Sequence, residues 1–215
     1  AWYWASANGL REDPRPVPLG DGRTAMPHPG VPTAPSWWGL VFTLLANGTL
    51  YACLVFGHVF LWVAAPGWPP PRLLPAELLL PLAAAVALVA AVGCAARARA
   101  LNAGGTKAAA ELWLAGAALA SLAAAGAFVA TALVAPSPHA HAYGSTVVAL
   151  CAYAALQSAI GSLYALYAWT RSRRGWVSAV RAAEPRATLA WLGYACASGM
   201  LTLVALWLPP WTGGP

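Results

Sequence analysis

Long apolar stretches alternate with short polar connections along most of this chain. The stretches cover about Trp37–Trp62, Leu74–Ala96, Ala108–Val134, Gly144–Trp169 and Thr188–Leu208. A helix needs roughly 20 mostly apolar residues to cross about 30 Å of hydrocarbon, and each stretch comes close to that length. Because backbone polar groups in lipid must be bonded internally, such stretches form helices. The pattern predicts an all-α, polytopic membrane helix bundle with five transmembrane helices.

The basic side chains fall almost entirely on one side of these five predicted spans. When the connections are numbered alternately, 11 of the 12 Lys and Arg residues lie on the odd-numbered side, and only Arg72 lies on the other. Cytoplasmic loops of membrane proteins carry an excess of Lys and Arg. The asymmetry predicts a multi-pass protein of a bacterial inner (plasma) membrane, with the N-terminal side in the cytoplasm and the C-terminus in the periplasm.

The composition argues against a soluble domain and against a nucleic-acid-binding protein. The chain is 60% hydrophobic and only 8% charged, whereas an average soluble domain is about 25% charged. The net charge of +6 comes from cations that lie next to apolar spans. That position suits membrane orientation and contact with anionic headgroups, so no nucleic-acid partner is expected.

The segment before the first span has a different composition. Proline recurs through it, at Pro14, Pro16, Pro18, Pro27, Pro29, Pro32 and Pro35. Because repeated proline blocks helix and sheet, residues 9–36 are predicted to form an extended cytoplasmic linker, with a turn at residues 19–22. Residues 1–8 are expected to be the tail of a preceding transmembrane helix in a longer polypeptide. Residues 37–211 then form the five-helix membrane domain.

Few ionisable groups lie inside the predicted spans, where they are costly. Glu77 and Glu111 lie about one turn from a span's edge, and Glu111 can pair with Lys107 four residues earlier. The position of His58 favours a hydrogen bond to a neighbouring helix over a metal. His139 and His141 share a loop that offers no third ligand nearby, whereas a metal site wants three or four donors.

Other residues inside the spans predict how the helices pack. Asn47 and Gln157 lie near the middle of the first and fourth spans and can each hydrogen-bond to another helix, which contributes about 0.6 kcal/mol on average. Most tryptophans, including Trp191, lie at predicted span ends, where the indole favours the headgroup region. Four cysteines, with no CxxC pair, are expected to act as small apolar residues: Cys53, Cys94, Cys151 and Cys196.

The sequence contains no motif for catalysis or cofactor binding. It has no histidine pair spaced to hold a haem, no Gly-rich nucleotide loop, no Ser/His/Asp set and no series of buried carboxylates. We therefore predict no catalytic, cofactor-binding or metal-binding residue in this chain.

Three stretches resemble cytochrome c oxidase subunit III, over roughly residues 36–210. Ser36–His58 (SWWGLVFTLLANGTLYACLVFGH), followed by PGWPPP at residues 66–71, resembles the third helix and following loop of that family. The match is closest to forms fused behind subunit I in one bacterial chain. Residues 141–146 (HAYGST), with AALQSAIG at 154–161 and then Arg171, resemble its penultimate helix. Residues that suit its last helix are Trp191, Tyr194, Gly199, Pro209 and Pro210.

The chain departs from the family at two informative sites. Many members have a membrane-embedded carboxylate where this chain has Asn47. Many also have a His-Gly-Leu-His motif whose two histidine positions are Ala154 and Gln157 here. The resemblance therefore argues against a proton-handling role for this chain.

The resemblance implies a non-catalytic subunit or domain of a respiratory haem–copper oxidase that reduces O₂ with electrons from cytochrome c. It would pack against subunit I, as a separate chain or within the same polypeptide, and would assemble with subunit II. It would also contact membrane lipids and support turnover. Haem and copper would lie in subunits I and II. The residues expected for helix packing and lipid contact are Trp37, Trp38, Asn47, His58 and Gly161.

Three alternatives remain open from the sequence. Quinol oxidases use a similar subunit, so the electron donor is not determined. A small transporter or channel would need a polar pathway at mid-membrane, and Asn47, Gln157 and a few hydroxyls provide few polar groups for one. An oxidase assembly factor could deliver metal through His139 and His141.

Overall fold

The computed structural model describes residues 17–20, 22–25, 35–64, 68, 79–139 and 141–207. These residues form one short β-hairpin and five long helices, in the order β1 (Val17–Gly20), β2 (Arg23–Ala25), α1 (Pro35–Ala64), α2 (Leu79–Ala103), α3 (Lys107–Val134), α4 (Ala142–Arg173) and α5 (Ala183–Trp207). All five helices are long and apolar enough to cross a membrane. The predicted fold class is confirmed: the chain is a multi-pass, all-α membrane helix bundle.

The helix α2 extends further than the sequence predicted. The predicted span ended at Ala96, but the helix continues through Arg97 and Arg99 to Ala103. Alanine, arginine and leucine are strong helix formers, so the helix persists beyond its most apolar part. It ends at a pair of glycines, of which Gly105 has a φ of +77°, the left-handed conformation common at helix ends. The connection to α3 is therefore only residues 104–106.

The helix α5 begins before its predicted start at Thr188. Its first residue is Ala183, so Pro185, which was predicted to precede the helix, lies in the first turn. Proline is tolerated there because the first N–H groups of a helix have no intrahelical acceptor. Glu184, also in the first turn, is favourable near the positive end of the helix dipole.

The proline-rich segment contains a small hairpin that the sequence analysis did not predict. Strands β1 and β2 pair antiparallel, with Val17 opposite Ala25 and Pro18 opposite Thr24. The predicted turn is present between them, with left-handed glycines at Gly20 and Gly22. The expectation that proline would block sheet is wrong here, because both strands of a hairpin are edge strands and an edge tolerates a residue without an N–H. Residues 1–16 and 26–34 lie outside the described residues.

Four helices form the core of the bundle, and α1 lies at its side. Helices α2, α3, α4 and α5 pack on one another, whereas α1 packs mainly on α4 and α5. In the most apolar 18-residue stretch of each helix, 56% of the residues are buried in α4 but only 6% in α1. Between α2 and α3 the contact is made largely by alanines, whose small side chains let helix backbones approach closely. Apolar burial therefore holds α1 in the bundle less than it holds α4.

The two ends of the bundle differ in charge. At one end, α2 joins α3 and α4 joins α5, and the start of α1 lies there too, because the Arg186 guanidinium is 4.5 Å from the Trp37 ring. We call this the basic end; its cations include Arg97, Arg99, Lys107, Arg171, Arg173, Arg174, Arg181 and Arg186. The opposite end holds the end of α1 and the connection between α3 and α4.

Candidate functional site: the polar seam of α1

Polar side chains line the junction of α1 with α4 and α5. We call this set the polar seam, and it consists of Asn47, Tyr51 and His58 from α1, Thr146, Tyr153 and Gln157 from α4, and Tyr194 and Thr202 from α5. A hydrocarbon surrounding offers no water to polar groups, so each must find a partner within the protein. The seam therefore adds interhelical hydrogen bonds to the apolar contacts of α1, in which Leu54, Val55 and Leu61 pack on the core.

A pair of amides joins the middle of α1 to α4. Gln157 Nε2 donates a hydrogen bond of 2.8 Å to Asn47 Oδ1. Asn47 Nδ2 in turn donates to the carbonyl oxygen of Thr43 in its own helix, at 2.9 Å. The sequence singled out both amides, and the structure brings them together although they are 110 residues apart in the chain.

Three tyrosines continue the seam beside the amides. Tyr153 Oη donates to the backbone oxygen of Asn47 at 2.9 Å and lies 2.5 Å from Tyr194 Oη. The Tyr51 ring stacks on the Tyr153 ring with 5.3 Å between centroids, and its hydroxyl bonds Thr202 Oγ1 at 3.0 Å. Sequence reasoning missed these tyrosines. Their spacing was a usable signal, since Tyr51 follows Asn47 by four residues and so shares its helix face.

His58 fixes the far end of α1 to both neighbouring helices. Its Nδ1 lies 3.0 Å from Thr146 Oγ1 in α4, and its Nε2 lies 3.2 Å from the carbonyl oxygen of Ala205 in α5. Because a carbonyl only accepts, Nε2 carries the hydrogen of that bond. The Trp68 ring packs edge-on against His58 with 5.9 Å between centroids. The imidazole is 1% exposed, and both ring nitrogens are engaged in interhelical hydrogen bonds.

Gly161 lies where α4 approaches α5 and α3 most closely. A Cβ atom at this position would lie 2.5 Å from Leu192 Cδ2 and 3.2 Å from Ser121 Oγ. The serine hydroxyl donates to the backbone oxygen of Ser158 at 2.7 Å. Because glycine has no side chain, the helices can approach closely here, and serine-to-carbonyl hydrogen bonds add to the contact.

The tryptophans at the start of α1 have different surroundings. Trp37 lies under the Arg186 guanidinium, whereas Trp38 is 51% exposed on the outer surface of α1. Trp191 was predicted to lie at a span end, and that prediction is wrong. Because α5 starts earlier than predicted, Trp191 lies inside the bundle, where it is buried, stacks on Tyr164 and donates to the backbone oxygen of Gln157 at 3.1 Å.

Ion pairs join the helices at the basic end. Arg171 Nε lies 2.6 Å from Glu184 Oε1, which links the end of α4 to the start of α5. The predicted pair of Lys107 and Glu111 is present at 3.9 Å, and Ser172 Oγ donates to the same carboxylate at 3.1 Å. The link between Arg171 and Glu184 was missed, because its two residues lie in different helices and share no helical period.

The histidines and cysteines do not assemble a metal centre within the described part of the chain. There, no three His, Cys, Asp or Glu side chains come together in a way that could hold a metal ion. His141 Nδ1 accepts a hydrogen bond of 3.0 Å from the Tyr143 N–H and so caps α4, and His139 is exposed. The four cysteines are free thiols in four different helices. Glu77 lies outside the described residues.

A cleft of about 300 Å³ opens between α1 and α4 next to the seam. It lies on the side of Tyr51 that faces the opposite end of the bundle. Apart from the Thr146 hydroxyl, its walls are almost entirely apolar: Cys53, Leu54, Gly57, Phe60, Leu61, Thr146, Ala149 and Leu150. Its chemistry suits a hydrocarbon chain rather than a polar ligand.

The fold and the seam define a class of protein, a multi-pass membrane bundle whose peripheral helix is joined to its neighbours by a set of interhelical hydrogen bonds. No protein-family model matches the chain, and no curated protein matches it.

Proposed function

We propose that this chain is a non-catalytic membrane subunit or domain of a respiratory haem–copper cytochrome c oxidase. It packs against subunit I, assembles with subunit II and supports the stability, lipid environment and turnover of the complex. Haem and copper belong to those partner subunits. The basic end faces the cytoplasm of a bacterial inner membrane, in keeping with the charge asymmetry of its connections.

One observation carries this proposal: the three stretches that resemble subunit III contact one another within the bundle. His58 of the first stretch bonds Thr146 of the second. Asn47 of the first also bonds Gln157 of the second, although the chain departs from the family at both positions. Trp191 of the third donates to the Gln157 backbone.

The chemistry of the seam supports an accessory role. Its described members are neutral amides, hydroxyls and one imidazole, and their hydrogen bonds run from helix to helix. Such bonds stabilise helix association by about 0.6 kcal/mol each on average. The apolar cleft and the outer face of α1 then provide surfaces for lipid and for a partner's helices. The outer face includes the exposed side chains of Trp38, Phe42, Leu45, Phe56 and Val63.

Purification of the affinity-tagged natural polypeptide from its own membranes tests the proposal. In mild detergent it should come out with the absorbance of a-type haem, held by the subunit I part of the same chain or by a partner chain. The preparation should consume O₂ when supplied with reduced cytochrome c. Consumption with quinol alone would assign the chain to a quinol oxidase instead.

Two further results would contradict the proposal. Recovery without haem from membranes that contain active oxidase would exclude a subunit role. Recovery with oxidase subunits that lack haem or copper would favour an assembly factor. The coding sequence upstream gives an independent check, because it should encode a multi-helix segment with haem-ligand histidines.

A further inference from the structure

The side-chain oxygen of Gln157 is a hydrogen-bond acceptor enclosed in the bundle. The residue is 1% exposed, and no donor in the described part of the chain bonds to its Oε1 atom. Buried polar groups in proteins nearly always have a partner, either from the protein or from ordered water. In a membrane-spanning segment the penalty for lacking one is larger, because lipid offers no alternative.

The orientation of this amide follows from its neighbours. The Thr43 carbonyl can only accept, so the Asn47 atom 2.9 Å from it must be Nδ2, and Oδ1 faces Gln157. The Gln157 atom that bonds Oδ1 at 2.8 Å must then be the donor Nε2. Turning the glutamine amide over would bring two oxygens together. The atom without a donor is therefore the oxygen.

Three hydrogens of this junction are already used. Tyr153 has a single hydroxyl hydrogen and gives it to the backbone oxygen of Asn47. The short contact between the two tyrosine hydroxyls must then be donated by Tyr194. The Trp191 N–H is given to the backbone oxygen of Gln157, not to its side chain. A donor for Oε1 has to come from outside this set.

We propose that Gln157 Oε1 binds one ordered water molecule at the junction of α1, α4 and α5. Water inside proteins is held by two to four polar partners, and the Tyr194 hydroxyl oxygen lies in the same junction with acceptor capacity remaining. This hydration point does not depend on the oxidase proposal, since only the chain's own side chains form it.

Two matched substitutions isolate the Oε1 atom. Gln157→Met removes the amide and keeps the length of the side chain. Asn47→Leu breaks the same bond between the two amides but leaves the Gln157 oxygen in place. The purified full polypeptide, in whatever complex it forms, is suited to a cryo-EM map that resolves ordered water and to infrared spectra in H₂¹⁶O and H₂¹⁸O.

In the unsubstituted protein we expect a water-sized density about 3 Å from Oε1 and an isotope-sensitive O–H band. Both should vanish in Gln157→Met and persist in Asn47→Leu. The proposal is overturned if the unsubstituted protein has no density at Oε1, if the density is larger than a water molecule, or if Gln157→Met retains the band. Loss of the band in Asn47→Leu would likewise assign the water to a different atom.

Discussion

At the scale of single residues, the polar seam explains how α1 stays attached to a bundle with which it shares little buried surface. Asn47 and His58 are polar positions on an otherwise apolar helix, and their bonds reach α4 and, from His58, α5 as well. An unsatisfied polar atom in a buried site costs more than the net gain from a satisfied pair. Removing one partner should therefore cost more than the hydrogen bond itself contributes.

This asymmetry gives a prediction for the amide pair. Asn47→Leu and Gln157→Leu should each lower the free energy of unfolding by about 1–3 kcal/mol, because each substitution leaves the other amide without its partner. The double variant should lose less than the sum of the two. Reversible unfolding in mixed micelles measures the coupling, which we expect to be about 0.6–1.7 kcal/mol. Strictly additive losses would contradict a direct bond between the two amides.

His58 supports a second prediction at this scale. His58→Leu should loosen the far half of α1, because the Ala205 carbonyl and the Thr146 hydroxyl both lose a partner. Hydrogen exchange should rise between residues 55 and 64 and stay unchanged in α2. Phe56→Leu is the matched control, since Phe56 is 71% exposed on the outer surface of α1 and makes no seam contact. Equal exchange in the two variants would rule out the anchoring role.

At the scale of the elements, glycine determines how closely α4 approaches its neighbours. The prediction concerns Gly161, where an added Cβ would meet Leu192 and Ser121. Gly161→Ala should destabilise by about 1–3 kcal/mol through overpacking, and Gly161→Leu should disrupt the packing of α4 on α5 and loosen the complex. Gly126→Ala in α3 is the control, because nothing lies within 4 Å of its added Cβ.

The same experiment separates packing from metal chemistry. Under the oxidase proposal, His139→Ala should leave turnover intact, because His139 is exposed and lies in a connection rather than in a helix contact. Gly161→Leu should lower the yield and turnover of the intact complex. The reverse result, with activity lost on His139→Ala and kept on Gly161→Leu, would reassign the function to the loop that contains His139 and His141.

At the scale of the whole molecule, five helices that each cross the membrane put the basic end and the opposite end of the bundle in different compartments. Gly104→Cys tests the basic end and His139→Cys the opposite end, in a background whose four native cysteines are replaced by alanine. An impermeant thiol reagent added to intact cells should label His139→Cys alone. Inside-out vesicles should label Gly104→Cys alone. Labelling of both from one side would show that the five helices do not all cross the membrane.

Much of the fold could be predicted because hydrophobic length is a local property. The length of an apolar run can be read directly from the sequence, so each of the five predicted spans corresponds to a helix in the structure. Helix ends were less certain, because helix propensity continues beyond the apolar part. Arg97 and Arg99 remain helical in α2, and Pro185 is accommodated in the first turn of α5.

The candidate site was predictable only in part. Asn47, Gln157 and His58 stand out from the sequence because polar groups in a span need a partner. The packing roles of the tyrosines and of Trp191 could not be predicted, because an aromatic ring is found both in protein cores and at membrane interfaces.

The sequence by itself determined that this is a five-span membrane protein with one basic end, because span length and charge are read along the chain. Only the tertiary structure decided which helices meet. Tyr51 and Thr202 are 151 residues apart and Asn47 and Gln157 are 110 apart, yet both pairs share hydrogen bonds. Partners so distant in sequence depend on how four helices pack and where the fifth docks against them, and no local pattern encodes that arrangement.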